Sequence, residues 1–206
     1  MKISASILSA NNYKNCIEKL NNTTADYIHI DVMDNKFVPN FKLPIKEVNN
    51  LGNFTKKPFD IHLMVNDPTT FINNLTTKAA KAITIHVEIK KDIQKIIEII
   101  KEKGYEVGIA IKPKTSLNIL EKYLNYIDKV IIMSVEPGFG GQKFIESTVT
   151  KIKELRKKNK NIKIEIDGGV NKDTIEKIRD IVDIAVVGSY ITNSNNFQKA
   201  IDNLKN

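Results

Sequence analysis

The chain has 206 residues, 41% of them hydrophobic and 27% charged, enough to bury a core without covalent staples. Its one cysteine, Cys16, excludes an internal disulfide and a multi-cysteine zinc cage and suits a reducing compartment. The formal net charge of +8 favours acidic partners, but the lysines lie scattered over helix-like stretches such as 89–103 and 151–163 with few aromatics between them, which points to a small anion rather than nucleic acid.

Apolar, β-branched runs recur roughly every 25 residues, the pattern of strands alternating with crossover helices. The first, 3–8, follows Met1-Lys2 with no signal-peptide core, and no apolar run approaches the roughly 18 residues that cross a bilayer, so a soluble cytoplasmic protein with no membrane partner is expected. The second, 27–32, carries His29 and Asp31, which two-residue alternation places on one face with Ile28, Ile30 and Val32 on the other. The third, 59–64, carries Asp60 and His62. The fourth, 82–87, carries His86, with Glu88 two residues on at the same face; these two are expected to support the site, and Asp60 to be a buried partner lower down. A helix is predicted over 92–101 from Ile93, Ile96, Ile97 and Ile100. The fifth run is 106–111 and the sixth 129–134, followed by the loop Pro137-Gly138-Phe139-Gly140-Gly141-Gln142. A helix over 148–158 has Val149, Ile152 and Leu155 on one face. The seventh run, 162–167, ends in Asp167-Gly168-Gly169, and the eighth, 183–188, in Gly188 before Ser189.

Eight βα units with no Gly-rich dinucleotide fingerprint after the first strand favour a closed (β/α)₈ TIM barrel, a single α/β domain over 1–206, above an open doubly wound sheet. Chemistry in such a barrel sits at the C-terminal ends of the strands. There the sequence offers His29, Asp31, His62 and Asp167, a mixed nitrogen and oxygen set that suits Zn, Fe(II), Mn or Co without choosing among them. One histidine on a strand is ordinarily a hydrogen-bonded structural residue, but His29, His62 and His86 all fall at predicted strand ends. The glycine loops after the sixth, seventh and eighth strands expose backbone amides, and the last two are where these barrels commonly build a phosphate site, so a phosphorylated small molecule is the expected ligand.

Taken in order, these motifs resemble the ribulose-phosphate 3-epimerase family. The resemblance runs through Ser6-Ile7-Leu8-Ser9-Ala10, His29-Ile30-Asp31-Val32-Met33-Asp34 with Phe37-Val38-Pro39-Asn40, and Asp60-Ile61-His62-Leu63-Met64-Val65. It continues through Ile85-His86-Val87-Glu88, Ala110-Ile111-Lys112-Pro113 with Thr115, Met133-Ser134-Val135-Glu136 before the glycine loop, Asp167-Gly168-Gly169-Val170 and Gly188-Ser189. It implies reversible inversion at C3 of D-ribulose 5-phosphate to D-xylulose 5-phosphate in the pentose phosphate pathway, in an isomerase with one divalent metal ion per subunit, zinc or Fe(II) ahead of Mn or Co, and no redox cofactor. It further implies that His29, Asp31, His62 and Asp167 hold the metal, with Asp31 and Asp167 as acid and base. Ser6 and His62 would touch the substrate, as would Gly138, Phe139, Gly140, Gly141, Asp167, Gly168, Gly169, Gly188 and Ser189. Met33, Met64 and Met133 would floor the cavity, and assembly as a dimer or hexamer is implied.

The chemistry accounts for those residue types. Removing the C3 proton beside a ketone gives an enediolate, whose charge a divalent cation stabilises, and inversion needs one group on each face of that flat intermediate. The departures from the family pattern are Asn35 in place of a common glycine, mild because asparagine tolerates left-handed backbone, and Asn11 in place of a common aspartate outside the ligand set. A hexulose-phosphate epimerase of the same family is the nearest rival, and Gly140-Gly141 with Gly168-Gly169 favour the pentulose. A decarboxylase or lyase barrel is disfavoured because no lysine occupies any of the four ligand positions.

Overall fold

Eight parallel strands form a ring because each is short, apolar and separated from the next by a segment long enough to cross back over the sheet. In the computed structural model, which describes Met1–Asn206, the ring strands are β1 (Lys2–Ser6), β2 (Tyr27–Asp34), β4 (Phe59–Met64), β5 (Ala80–His86), β6 (Glu106–Ile111), β7 (Lys129–Met133), β8 (Lys163–Asp167) and β9 (Ile184–Val187). β1 hydrogen-bonds to both β2 and β9, so the sheet has no free edge and the barrel closes. β3 (Phe41–Lys42) stands outside the ring as a two-residue antiparallel addition to the end of β2.

The ring strands are buried almost throughout, because one face points into the barrel and the other lies under helices. The outer layer comprises α1 (Tyr13–Asn21), α2 (Ile45–Leu51), α3 (Pro68–Asn74), α4 (Ile93–Glu102), α5 (Thr148–Lys158), α6 (Lys172–Ile175), α7 (Ser189–Thr192) and α8 (Phe197–Lys205). α4 shows why these segments are helical. The Asp92 side chain accepts from the Lys95 amide at 3.2 Å and caps the first turn, while Ile93, Ile96, Ile97 and Ile100 form one buried stripe. Each buried isoleucine contributes about 1.5–3 kcal/mol relative to an exposed one. Between β6 and β7 no α-helix forms; a 3₁₀ turn, Leu117–Leu120, buries Leu117 and Leu120 instead. No helix is long and apolar enough to cross a membrane.

The architecture and the helices expected over 92–101 and 148–158 agree with the sequence reading, and six of the eight strands differ from it by one or two residues at their ends. β1 stops at Ser6 rather than residue 8, because the Leu8 amide turns back to donate to Ser6 Oγ at 3.2 Å. β2 runs two residues further, to Asp34, because β3 pairs there. β5 starts at Ala80 rather than residue 82, with a register irregularity opposite Phe59 and Asp60. β9 is shorter than 183–188 at both ends. Asn35 takes a φ of 56°, the left-handed conformation anticipated for an asparagine at this position.

Beyond β8 the chain needs glycine. Gly169 has a φ of 65°, and a Cβ there would lie 2.6 Å from the Phe144 backbone nitrogen, an atom that cannot rotate away. Gly169→Ala is therefore expected to destabilise the fold by at least about 2 kcal/mol. Chemical denaturation checks this, and an unchanged midpoint would contradict it.

Candidate active site

Strand alternation turns His29 and Asp31 of β2, and Asp60 and His62 of β4, into the barrel. Parallel pairing sets Asp31 beside His62, and β8 delivers Asp167 beside Met133 of β7. Four side chains remote in sequence thereby converge. His29 Nε2 lies 3.5 Å from Asp31 Oδ1 and 3.9 Å from Asp167 Oδ2, and His62 Nδ1 lies 3.5 Å and 3.4 Å from the same two oxygens. One ligand atom from each of His29, Asp31, His62 and Asp167 falls within 4.8 Å of every other.

These atoms fit a divalent cation. His29 Nε2 and His62 Nδ1 are buried with no hydrogen-bond partner, an arrangement that costs about 1–3 kcal/mol per group unless something accepts their lone pairs or protons. Burial opposes protonation of both histidines, but Asp31 and Asp60 outweigh it at His29, and Asp167 and Asp31 outweigh it at His62, raising both above the usual imidazole range. Burial likewise opposes ionisation of Asp31, yet His29 and His62 hold it below the usual carboxylate range. The cluster therefore attracts positive charge, and two nitrogens with two carboxylate oxygens are donors that a first-row divalent metal accepts.

Above the cluster opens a cavity at the C-terminal end of the barrel. Of the residues singled out in the sequence, Ser6, Asp31, Asp167 and the three methionines Met33, Met64 and Met133 line it. So do Gly138, Phe139, Gly140, Gly141, Gly168, Gly169, Gly188 and Ser189. His29 and His62 do not; both are fully buried and sit beneath the floor, offering the cluster only their ring nitrogens. Ser6 Oγ donates to Asp31 Oδ2 at 2.7 Å, which leaves Oδ1 facing the histidines. The end of β8 is fixed by Ser134, whose amide donates to the Asp167 carbonyl at 2.7 Å and whose hydroxyl donates to the Gly168 carbonyl at 2.6 Å.

The loop after β7 is tied down at both sides. Asn40 Nδ2 donates to the Gly138 carbonyl at 2.7 Å, and Gln142 Nε2 donates to the carbonyls of Glu136 at 2.7 Å and Phe139 at 2.8 Å. The cavity also takes in Pro137 and Gln142 at the ends of the glycine loop, and Leu8, Ser9, Val135, Val170 and Val186, to which the sequence reading assigned no role. Ser9 had one signal available, its place in the same motif as Ser6. Its hydroxyl occupies the space where a Cβ on Gly140 would stand, 2.5 Å away.

Two chains of buried polar groups hold the histidines. His62 Nε2 is 2.9 Å from His86 Nε2, and His86 Nδ1 is 3.0 Å from Glu88 Oε2. Burial pulls His86 down to about 4 against the pull of Glu88. A neutral His86 that donates from Nδ1 must accept at Nε2, so His62 donates from Nε2 and keeps its Nδ1 lone pair for the cluster. Glu88, with Oε1 accepting from the Lys112 amide at 2.7 Å and the Thr115 hydroxyl at 2.6 Å, is held down to about 2 in spite of its burial, chiefly by His86. On the other side His29 Nδ1 lies 3.1 Å from Asp60 Oδ2, and Asp60 and Glu165 share the buried ammonium of Lys129. His86, Glu88 and Asp60 thus take the supporting places expected of them; Lys129 and Glu165 had not been singled out.

Comparison with known proteins agrees with this geometry. The profile of the family described as ribulose-phosphate 3 epimerase matches residues 2–192. The ribulose-phosphate 3-epimerase of Bacillus subtilis (strain 168) is 36% identical over 213 residues, covering 100% of this chain and 98% of that protein. Those of Aquifex aeolicus (strain VF5) and Escherichia coli (strain K12) are 38% and 35% identical, each covering 88% of this chain and 84% and 83% of their own lengths. Among solved structures, 3-hexulose-6-phosphate synthase from Salmonella typhimurium superposes with a TM-score of 0.73 at 17% identity, covering 99% of this chain and 96% of the other. Phosphoribosyl anthranilate isomerase from Thermococcus kodakaraensis gives 0.66 at 16%, with 99% and 96% covered. At those identities the structural likeness concerns the barrel alone. The sequence matches and the barrel-end cluster together establish that this chain belongs to the ribulose-phosphate 3-epimerase family.

Proposed function

We propose that this protein is a metal-dependent ribulose-phosphate 3-epimerase that interconverts D-ribulose 5-phosphate and D-xylulose 5-phosphate by inversion at C3. The observation that carries the reading is the pair of carboxylates, Asp31 and Asp167, brought from β2 and β8 to the floor of one cavity with two unpartnered imidazole nitrogens between them. His29 Nε2, His62 Nδ1 and one oxygen from each aspartate hold the divalent ion in this account. When bound, that ion supplies Lewis acidity toward the substrate's oxygens and stabilises the negative charge of the enediolate.

The chain's own residues do the rest. One aspartate takes the proton from C3, the C–H electron pair forms the C2–C3 double bond, and the carbonyl electrons move onto the C2 oxygen. The other aspartate then delivers a proton to C3 from the opposite face, and the double bond returns to the carbonyl. The reverse reaction exchanges the two roles, so the pair is symmetric in function. Ser6 orients Asp31 through its 2.7 Å hydrogen bond, and Ser134 steadies the backbone that bears Asp167. Met33, Met64 and Met133 present soft apolar surface to the flat intermediate and keep water from protonating it at random. Gly168, Gly169, Gly188 and Ser189 offer backbone amides toward the phosphate, with Gly138–Gly141 closing over the sugar.

Asp31→Asn and Asp167→Asn each remove a proton carrier and a ligand. Each is expected to cut turnover of D-ribulose 5-phosphate by about 10³-fold or more while circular dichroism stays that of the folded barrel. Near wild-type turnover in either variant would exclude the scheme. Exhaustive chelation is expected to abolish epimerisation, with recovery on adding a divalent ion; full activity in protein verified to be free of metal would remove the cation from the mechanism.

A further inference from the structure

Lys129 opens β7, a position from which a lysine ordinarily runs its stem along the surface and keeps its ammonium in water. Here it is 2% exposed and threads into the barrel. The strand beside it makes room: Gly108 is in register with Lys129, and a Cβ on Gly108 would lie 3.1 Å from the lysine Cε and 2.2 Å from Thr84 Oγ1. The ammonium then bonds Asp60 Oδ1 and, at 2.6 Å, Glu165 Oε2. Asp60 turns its other oxygen to Ser4, which donates at 2.9 Å, and to His29 Nδ1 at 3.1 Å. Asp60 Oδ2 can only accept, so its partner nitrogen on His29 must carry the proton, and the lone pair of that ring lies on Nε2, the buried atom that faces Asp31 and Asp167.

We propose that Lys129 is a positioning residue for the metal centre. Its ammonium, locked between Asp60 and Glu165, holds Asp60 in place and aimed at His29 Nδ1, and so presents His29 Nε2 to the cation. Without it Asp60 and Glu165 would lose the donor they share in a dry interior, and Asp60 would have no anchor to hold its place under the imidazole. The inference rests on the metal reading given above, and the experiment separates the two.

Metal-stripped wild type and Lys129→Met are titrated with Co²⁺, with affinity read by competition with a chelator and ligation read from the d–d absorption. The variant is expected to melt cooperatively without metal, to bind Co²⁺ about tenfold or more weakly, and to show an altered d–d band. Co²⁺ affinity and spectrum equal to wild type in a folded variant would overturn the role of Lys129 and leave the metal reading intact. Failure of the wild type to bind Co²⁺ would overturn both. Should Lys129→Met not fold, long-range proton–nitrogen NMR of the Zn²⁺-loaded wild type decides: a proton on His29 Nδ1 is expected, and a proton on Nε2 would overturn the proposal.

Discussion

The interior of this barrel holds more charge than an apolar core tolerates, and its site depends on how that charge is balanced. Asp31, Asp60 and Glu165 are buried with His29, His62, His86 and Lys129, and Asp167 closes the upper side. A buried ion without a partner costs several kcal/mol, so each of these groups must find its complement within a few ångströms. Most do: Lys129 lies between Asp60 and Glu165, and His86 against Glu88. Burial, reinforced by the charge of Asp60, pushes Glu165 up to about 8, which limits the negative charge the lower layer must carry. The place where the balance stays open is the space between His29 Nε2, His62 Nδ1 and the two upper aspartates, and that is where a cation fits.

The fold makes this arrangement possible by its parallel register. Neighbouring strands carry the inward pairs His29/Asp31 and Asp60/His62, so the lower layer and the upper layer of polar groups alternate with one residue of β-pleat between them. Asp60 in the lower layer anchors His29 Nδ1, His86 of β5 anchors His62 Nε2, and Asp31 in the upper layer reaches the cavity. A closed barrel holds both layers rigidly, since no strand of the ring has a free edge along which to slip. Glycines act where the backbone itself must approach: Gly169 against the Phe144 nitrogen, and Gly108 where the lysine stem crosses.

Much of this was legible in the chain. Period-two alternation is enough to put His29 and Asp31 on one face, and the recurrence of apolar runs is enough to predict the barrel, because both depend on local spacing. Asn35 was legible too, since its left-handed backbone follows from what asparagine tolerates. The lysine clamp was not. At the first position of an apolar run Lys129 reads as a solvated strand end, and only the closure of the ring brings Asp60, Glu165 and the gap at Gly108 to it from three other strands. The two-residue β3 and the 3₁₀ crossover after β6 escaped for a related reason: neither carries a periodic pattern, and each is set by the elements already packed around it.

The central claim is that a proton leaves one face of C3 and another arrives at the opposite face, carried by Asp31 and Asp167. Incorporation of solvent deuterium at C3 during interconversion of D-ribulose 5-phosphate and D-xylulose 5-phosphate tests it most directly. The account predicts that product formed in D₂O carries deuterium at C3, and that Asp31→Asn and Asp167→Asn lose this inversion. Inverted product that retains the original C3 hydrogen would contradict the account.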